Sequence, residues 1–507
     1  MSTIPDLETA ELGTSDKVFA GYSAPFVYDA PDGKKIEQTI WGDFVGLLGD
    51  PDGDWVEVRA RGANGWMRCA ELQAERFLDV NFVDVGQGDG CFIVTPADRF
   101  LLVDAGLDDN MLRYLSWRFN LRAHPWWTIE FDAAVLTHPD ADHYRGFTNL
   151  VESGRFHFGA LYHNGLVDRA GAGLGEVHEI DGVRYQTDVV EDLDDLRRVL
   201  DDPEAIGKAW YPNLLKTVVD GAHATDVAML SAGSFVPGYE EDEPLSIQVL
   251  SPVPERVEVP TGADGTEERT VLRRLGDDGV TKNGHSVTLR LRYRDVSVLL
   301  TGDLNGASQR YLLEHYTGFD PRSVDDDDER EQMIASARAV FGSDAAKSCH
   351  HGSADFLDEF LGGIDALVTV VSSGDDEPFA HPRPDALGAF GKWGRGTRPL
   401  IFSTELARSP NENVKEPASL RREIEELESE LLAAATEAER DEVRERIGER
   451  LGTLERSIAV YGLINLRTDG HRIVMAQKLE RPSPSGVKWD VHRFEPKDGV
   501  LQYVRGS

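Results

Sequence analysis

The chain has 507 residues, of which 40% are hydrophobic, and it carries a formal net charge of −37. The length predicts roughly two or three structural units, and the lack of an apolar run of about eighteen residues argues against a transmembrane helix. The charge argues against a broad non-specific DNA-binding surface, because phosphate groups are bound by Lys and Arg. The N-terminus has no signal-peptide pattern, and Cys69, Cys91 and Cys349 form neither a ligand-spaced pair nor a disulfide framework. We therefore expect a cytoplasmic protein.

Residues 1–17 are predicted to be a polar tail, and residues 18–75 are predicted to form short strands. In "VEVRARGANGWMRCAEL", apolar and polar residues alternate around a Gly-Ala-Asn-Gly turn. The stretches "GDWVEV" and "GWMRCAEL" resemble a bacterial SH3-like domain, which implies a small β-barrel that binds a protein partner. The alternative is a barrel that only packs against the rest of the chain.

From residue 77 to residue 414 the sequence mixes apolar strands with helical segments. The predicted strands include "FLDVNFVDVGQGDGCFIV", "FLLVDAG", "FDAAVLTH", "LSIQVLSP", "HSVTLRLRY", "VSVLLTGD", "ALVTVVSSG" and "PLIFST". This order predicts a layered α/β sandwich, which strands within residues 460–507 complete. A polar segment at about 166–243 is predicted to be an insertion.

Residues 415–459 are predicted to be a second insertion, an antiparallel helical hairpin of coiled-coil type. Its apolar residues recur at steps of three and four, as they do along one face of a helix. They are Leu420, Ile424, Leu427 and Leu431, followed by Val443, Ile447, Leu451, Leu454 and Ile458. Two interpretations stay open: the stripe is the seam of the hairpin, or it is the interface of a homodimer.

The stretch "VLTHPDADHYRGF" follows an apolar strand and crowds His138, Asp140, Asp142 and His143 into six residues. Imidazole suits Zn and other transition metals, whereas carboxylate favours harder ions such as Mn. The cluster therefore predicts bound divalent metal, and the alternative is a helix cap with two chance histidines.

Four further motifs make that alternative weaker, because each also lies where a strand runs into a loop. They are "LLVDAG" with Asp104, "LLTGDL" with Asp303, "KSCHHGS" with Lys347, His350, His351 and Ser353, and "FAHPRP" with His381. A mixed sheet collects such strand ends along one edge, where ligands bind in open α/β sheets.

The order of these motifs resembles the metallo-β-lactamase superfamily and, more narrowly, the metallohydrolase domain of the DNA-uptake protein ComEC. The resemblance is carried by "FVDVGQGDGCFIV", "LLVDAG", "THPDADHYRGF", "NGHS", "LLTGDL", "KSCHHGS" and "HPRP". It implies an αββα sandwich, to which this chain adds the N-terminal barrel and the helical hairpin. The membrane channel of the uptake protein is absent, so the resemblance covers the catalytic domain and not the biological role.

The resemblance also implies two divalent ions, Zn or Mn. His138 and Asp140 would bind one ion, Asp142 and His143 would bind the other, and Asp303 would bridge them. One of three histidines would complete the second ion's ligands; the candidates are His350, His351 and His381. The usual third histidine of the family falls near Asn283, and His285 is a candidate substitute.

The remaining candidates are expected to act around the ions. Asp142 would accept a proton from the attacking water, and Lys347 would hold a phosphate oxygen, with a surface lysine as the alternative. Asp104 would orient a metal ligand. Further residues expected near the ligands or in a substrate loop are Asp84, Gln87, Asp89 and Ser353.

The leading hypothesis for function is a two-metal phosphodiesterase or nuclease that acts on nucleic acid or nucleotides. A second hypothesis is a metal-dependent hydrolase of esters, lactones or thioesters, which the wider superfamily also contains. A third is an interaction scaffold that recruits partners through the SH3-like domain and the hairpin. The intact carboxylate positions argue against a dead site.

Overall fold

A computed structural model describes residues 18–261, 265–374, 380–404, 417–434, 436–457, 462–479, 483 and 486–504. The predicted tail 1–17 and Ile458 lie outside the described residues, as do the side chains of Leu420 and Leu454.

The N-terminal region is a small strand-rich barrel. Its strands are β1 (Val18–Ala20), β2 (Phe26–Tyr28), β3 (Lys35–Gln38), β4 (Phe44–Leu47), β5 (Trp55–Ala60), β6 (Ala63–Arg68) and β7 (Leu72–Gln73), in the order β3-β2-β6-β5-β4-β1-β7. The alternation in "WVEVRA" buries Val56 and Val58 and exposes Glu57 and Arg59, as period-two strands do. The region fits the expected barrel, while an SH3 fold and a peptide-binding role stay predictions.

The barrel is docked on the rest of the chain through a buried ion network. The Arg467 guanidinium donates to the Trp41 carbonyl at 2.9 Å and pairs with Asp43 at 3.2 Å and with Asp79 at 2.7 Å. Apolar packing around Trp41, Phe77 and Trp489 surrounds this network. The buried Arg467 therefore joins Trp41 and Asp43 of the barrel to Asp79, which lies outside it.

The larger of two facing sheets contains ten strands, in the order β15-β12-β11-β10-β9-β8-β24-β25-β26-β27. Its strands are β8 (Leu78–Phe82), β9 (Gly90–Val94), β10 (Phe100–Ala105), β11 (Ile129–Val135), β12 (Phe156–His163), β15 (Ala224–Met229), β24 (Ile464–Thr468), β25 (Ile473–Lys478), β26 (Trp489–Lys497) and β27 (Val500–Val504). β10, β11, β12 and β15 are parallel neighbours, so their carboxyl ends share one edge.

The second sheet contains six strands, in the order β16-β19-β20-β21-β22-β23. Its strands are β16 (Leu245–Ser251), β19 (Thr288–Tyr293), β20 (Val296–Leu300), β21 (Ala345–Lys347), β22 (Val368–Val371) and β23 (Leu400–Ser403). The two sheets bury one shared hydrophobic core between them. β20 to β23 are parallel, so this sheet also brings several carboxyl ends to one edge.

Helices cover the outer faces of both sheets and complete the expected layers. The helices on the large sheet are α1 (Asn110–Arg118), α2 (Ala141–Glu152), α3 (Leu193–Leu200), α4 (Pro203–Ile206) and α5 (Trp210–Asp220). The helices on the six-stranded sheet are α7 (Gly306–Thr317), α8 (Asp327–Phe341), α9 (Asp358–Ile364) and α10 (Pro384–Trp393). A short helix, α6 (Asp278–Gly284), precedes β19. Within the described residues, every helix is too short or too polar to cross a bilayer.

The segment predicted as an insertion at about 166–243 is partly built into this core. It contributes two strands of a small four-stranded sheet, whose members are β13 (Val177–Ile180), β14 (Val183–Gln186), β17 (Glu255–Pro260) and β18 (Thr266–Arg273). Its last strand, β15, pairs with β12 in the large sheet, with Phe158 opposite Ala224. The end of the segment is therefore part of the core sheet.

The predicted hairpin region contains α11 (Pro417–Ala433) and α12 (Glu437–Ser457), which pack against each other. Ile424 is buried against Ile447 and Leu451 across the pair. Arg122, just beyond α1, donates to the Gly448 carbonyl at 2.6 Å. The described part of the stripe thus serves as the seam of the hairpin, and a homodimer through the hairpin stays a prediction.

Candidate metal centre

The site is assembled from strand ends of both sheets. Asp104 lies at the end of β10, and His138 follows the neighbouring strand β11. Asp303 follows β20, and Lys347 ends the neighbouring strand β21. Each set of parallel strands ends at one edge of its own sheet, and the two sheets face each other. Four separate motifs of the sequence therefore meet in one buried place.

Three side chains form the first cluster: His138, His143 and Asp303. One ligand atom from each lies within 4.8 Å of the other two. Nε2 of His143 is 3.4 Å from Oδ2 of Asp303, and Nε2 of His138 is 3.5 Å from Oδ2 of Asp140. The imidazoles of His138 and His143 are fully buried, so these atoms have no bulk water to bind.

Asp303 and His143 are shared with neighbouring clusters. Asp142, His143 and His351 form one of them, and Asp89, Asp303 and His351 form another. Nε2 of His351 is 3.1 Å from Asp303 and 3.5 Å from Asp142, while its Nδ1 is 3.2 Å from Asp89. Such overlapping sets are what two adjacent cations with a shared ligand require.

The hydrogen bonds of the imidazoles test whether these residues fit a metal. Each ring is held through Nδ1: Asp104 lies 2.8 Å from that atom of His143, the Ser372 carbonyl 3.0 Å from that of His351, and the Ser286 hydroxyl 3.2 Å from that of His138. The Nε2 atoms of all three rings are buried without a hydrogen-bond partner. Metal-binding histidines are typically held in this way, with one nitrogen fixed and the other free to ligate. The residues therefore fit divalent cations.

The buried charges of the centre shift one another's pKa values. Burial acts to lower the pKa of His143, but the carboxylates of Asp303 and Asp104 outweigh burial and raise it well above its ordinary value. Burial acts to raise the pKa of Asp303, but His351, His143, His350 and Lys347 hold it well below its ordinary range. The Asp303 carboxylate is therefore anionic, which is the form that binds cations.

Lys347 supplies a fixed positive charge to this centre. Its ammonium pairs with Asp89, lies 3.4 Å from Oδ1 of Asp303 and donates to the Gly302 carbonyl at 2.8 Å. The side chain is buried, so it is not a surface lysine. Two of these contacts are to carboxylates of the candidate clusters, Asp89 and Asp303.

Asp140 has a separate set of partners. The ammonium of Lys282, on α6, pairs with Oδ1 of Asp140. With the Asn283 amide turned so that its nitrogen faces Asp140, that nitrogen donates to Oδ2 at 2.6 Å. His285 faces away, because its Nε2 lies 2.7 Å from the Arg273 carbonyl, and burial lowers its pKa to about 4. His285 is thus outside the clusters, and Asn283 adjoins them.

His350 and His381 lie at the more open side of the centre. Nε2 of His350 is 3.7 Å from Oδ2 of Asp303, and the ring of His381 is 5.6 Å from that of His350. Of the three histidines that were candidates for the last ligand, His351 makes the closest approaches to the carboxylates.

The loop with "VGQGDG" is held by hydrogen bonds within it and to a neighbouring segment. Oδ1 of Asp84 accepts a hydrogen bond from the Gly86 nitrogen at 3.1 Å, and the Gln87 carbonyl accepts one from the Leu107 nitrogen at 3.2 Å. Gly88 has a φ of +88°, and a Cβ there would stand 1.6 Å from the Asp142 carbonyl oxygen. Only glycine allows the loop to lie against α2 at this point, which brings Asp89 into the centre.

Ser353 has a local role. Its hydroxyl accepts a hydrogen bond from the Asp355 nitrogen at 3.2 Å and so stabilises the turn after the two histidines.

Sequence reasoning did not single out Thr137, Lys282 or Ser286. Thr137 donates to Asp104 through its nitrogen at 2.8 Å and its hydroxyl at 2.7 Å. Thr137 and Ser286 each stand inside a motif that was already recognised, "THPDADH" and "NGHS". Lys282 directly precedes "NGHS", and nothing in the local sequence distinguishes it from a surface lysine.

The family model of the metallo-β-lactamase superfamily matches residues 89–352, which is more than half of the chain. No curated protein sequence matches the chain. A solved structure titled "Putative metal-dependent hydrolase", from Parabacteroides distasonis ATCC 8503, matches with 10% identity and a TM-score of 0.28, covering 64% of this chain and 92% of that chain. The likeness to that structure is too low to bear on function.

Proposed function

The chain belongs to the metallo-β-lactamase superfamily, and on that premise we propose that it is a two-metal phosphodiesterase acting on nucleic acid or nucleotides. The observation that carries the proposal is the set of three buried Nε2 atoms that have no hydrogen-bond partner and lie close to carboxylates, including Asp303. The ComEC-like order of motifs favours a phosphodiester over a carbon ester as the substrate.

We expect the ligands to divide between two ions. His138 and Asp140 would hold one of them, and Asp142, His143 and His351 would hold the other. Asp303 would serve both, because it belongs to one cluster with His138 and to another with His351. Asp89, which forms a cluster with Asp303 and His351, would add a carboxylate.

Two bound divalent ions supply an activated water and offset the negative charge of a phosphodiester during in-line displacement. The protein's own groups keep the ligands in place. Asp104 fixes His143, Ser286 and Thr137 fix His138, and Lys347 neutralises part of the carboxylate charge.

Asp142 is the candidate proton acceptor for the attacking water. It lies at the start of α2, and its side chain is partly exposed, unlike those of Asp89 and Asp303. The pKa of its carboxyl is held below the ordinary value despite burial, because His351 and His143 stabilise the anion. An ionised, accessible carboxylate beside the centre can receive a proton there.

Elemental analysis combined with a substrate panel tests the proposal. The purified protein is expected to hold up to two ions of Zn or Mn and to cleave bis(p-nitrophenyl) phosphate or single-stranded DNA, with loss of activity in EDTA and its return on adding metal. Asp303→Asn serves as the metal-deficient control. A protein that binds no transition metal has no such centre, and one that cleaves a lactone or thioester but no phosphodiester belongs to the carbon-ester hydrolases instead.

A further inference from the structure

An arginine and a tryptophan are stacked on the surface next to the centre. Trp210, the first residue of α5, is 62% exposed, and the Arg145 guanidinium lies over its ring, with Cζ 4.8 Å from the centroid. The guanidinium therefore covers one face of the indole and is attracted to it. The exposure of Trp210 shows that the remaining surface of the ring is open to solvent.

The pair lies one helical turn from a candidate metal ligand. Arg145 follows Asp142 by three residues on α2, so the two side chains lie on the same face of the helix, with Cβ atoms roughly 5–6 Å apart. Both side chains are partly exposed. The stacked pair therefore borders the accessible side of the centre.

The start of α5 is anchored against the same helix. Tyr211, next to Trp210, is buried, and its ring lies 4.9 Å from that of Tyr144 on α2. The first residues of α5 therefore lie against α2, the helix that carries Asp142 and His143.

We infer that Trp210 and Arg145 form the nucleoside-binding part of the site, in which the indole stacks on a base and the guanidinium binds an adjacent phosphate. This inference rests on the proposed phosphodiesterase function and deepens it. Every base offers a π-face that stacks on an aromatic side chain without sequence preference. A guanidinium stacked on a ring keeps its N–H groups available at the edge for phosphate oxygens.

The charge of the chain supports this assignment. With a net charge of −37, most of the surface repels polyanions. Arg145 places a cation one turn from Asp142, beside the ring that would receive the base. A short single-stranded segment or a nucleotide needs only such a local contact, whereas a long duplex would need an extended basic surface.

The test compares two phosphodiesters with the same leaving group. Thymidine 5′-(p-nitrophenyl phosphate) carries a base, and methyl p-nitrophenyl phosphate does not. The measured quantity is the ratio of their kcat/KM values. Trp210→Ala should lower this ratio about tenfold, because a stacked base is lost, and Trp210→Phe should restore part of it. Arg145→Gln should weaken binding of an oligonucleotide more than of a mononucleoside ester.

Trp126→Ala is the matched control. Trp126 is 73% exposed and precedes β11, whereas His138 follows the other end of that strand, roughly 20 Å away at about 3.3 Å per residue. This variant should leave the ratio unchanged. If Trp210→Ala leaves the ratio unchanged, or if Trp126→Ala lowers it equally, the assignment of Trp210 is wrong although the phosphodiesterase proposal stands.

A binding measurement separates the two proposals if the wild-type protein cleaves neither ester. Fluorescence anisotropy of a fluorescein-labelled, phosphorothioate-linked hexathymidylate reports binding without turnover. Affinity that falls about tenfold in Trp210→Ala, but not in Trp126→Ala, supports the nucleoside site without the proposed reaction. No binding by the wild-type protein overturns the nucleoside site as well.

Discussion

Replacing Lys347 by Met should lower the free energy of unfolding of the metal-free protein. It should also increase the stabilisation that added metal provides. The ammonium is buried, with 4% of the residue exposed, and it pairs with Asp89 and Asp303. Methionine has a similar length but no charge, so both carboxylates would lose their nearest fixed cation. Because breaking a buried ion pair typically costs about 3–5 kcal/mol and imidazoles remain beside both carboxylates, we expect a loss near the lower bound, about 3 kcal/mol.

The assay is urea unfolding, followed by tryptophan fluorescence in EDTA and again with Zn²⁺ or Mn²⁺. Added cations replace the missing charge, so metal should raise the midpoint of the variant more than that of the wild type, by an amount that grows with the logarithm of metal concentration. Arg322→Met is the control, because Arg322 pairs with Asp320 at the exposed surface; its midpoint should not change.

One result would refute this reasoning about Lys347. If the metal-free Lys347→Met protein is as stable as the wild type and its only defect is a raised KM, the ammonium binds a substrate phosphate. In that case the ion pairs with Asp89 and Asp303 contribute little to the fold.

Three further predictions follow from the same structure. Asp142→Asn and Asp303→Asn should each lower metal-dependent phosphodiester cleavage by at least about 10²–10³-fold, measured as kcat with bis(p-nitrophenyl) phosphate; full activity in both would place the chemistry elsewhere. Arg467→Met should lower the free energy of unfolding by about 3–5 kcal/mol. Burial acts to raise the pKa of Asp43, but Arg61 and Arg467 hold it well below its ordinary value. The stabilisation that ionised Asp43 provides is therefore complete above about pH 4, and it is lost as the pH falls toward the pKa of Asp43 in the folded protein. Unfolding curves of wild type and variant should therefore converge below pH 4, and a constant difference would contradict this. Replacing residues 415–459 by a short Gly/Ser linker should leave a folded, metal-binding protein, judged by circular dichroism and elemental analysis, and a variant that cannot fold would show that the hairpin belongs to the core.

The sequence alone determined the strands and the ligand-bearing motifs. Runs such as "FDAAVLTH" and "VSVLLTGD" carry their own pattern of burial, since apolar residues bounded by polar turns indicate buried strands. The crowding of His138, Asp140, Asp142 and His143 was visible because all four fall within six consecutive residues. Membership of the superfamily and the presence of a metal centre could be predicted at this level, because both depend on local motifs in a fixed order.

Only the tertiary structure decided which side chains share a space. His351, rather than its neighbour His350, makes the closest approaches to Asp303 and Asp142, because the backbone between β21 and α9 sets where each ring points. Lys347 meets two carboxylates from other motifs, one 44 residues earlier in the chain. Such long-range pairs leave no periodic signal in the sequence.

The same holds for the surroundings of the centre. Trp210 and Arg145 are 65 residues apart in number and belong to helices that no motif connects; they meet because Tyr211 packs against Tyr144. Local patterns report how a segment is buried, whereas the identity of its neighbours depends on how the layers pack. The metal-binding motifs could therefore be predicted from the sequence, whereas the pair of Arg145 and Trp210 beside them depends on the fold.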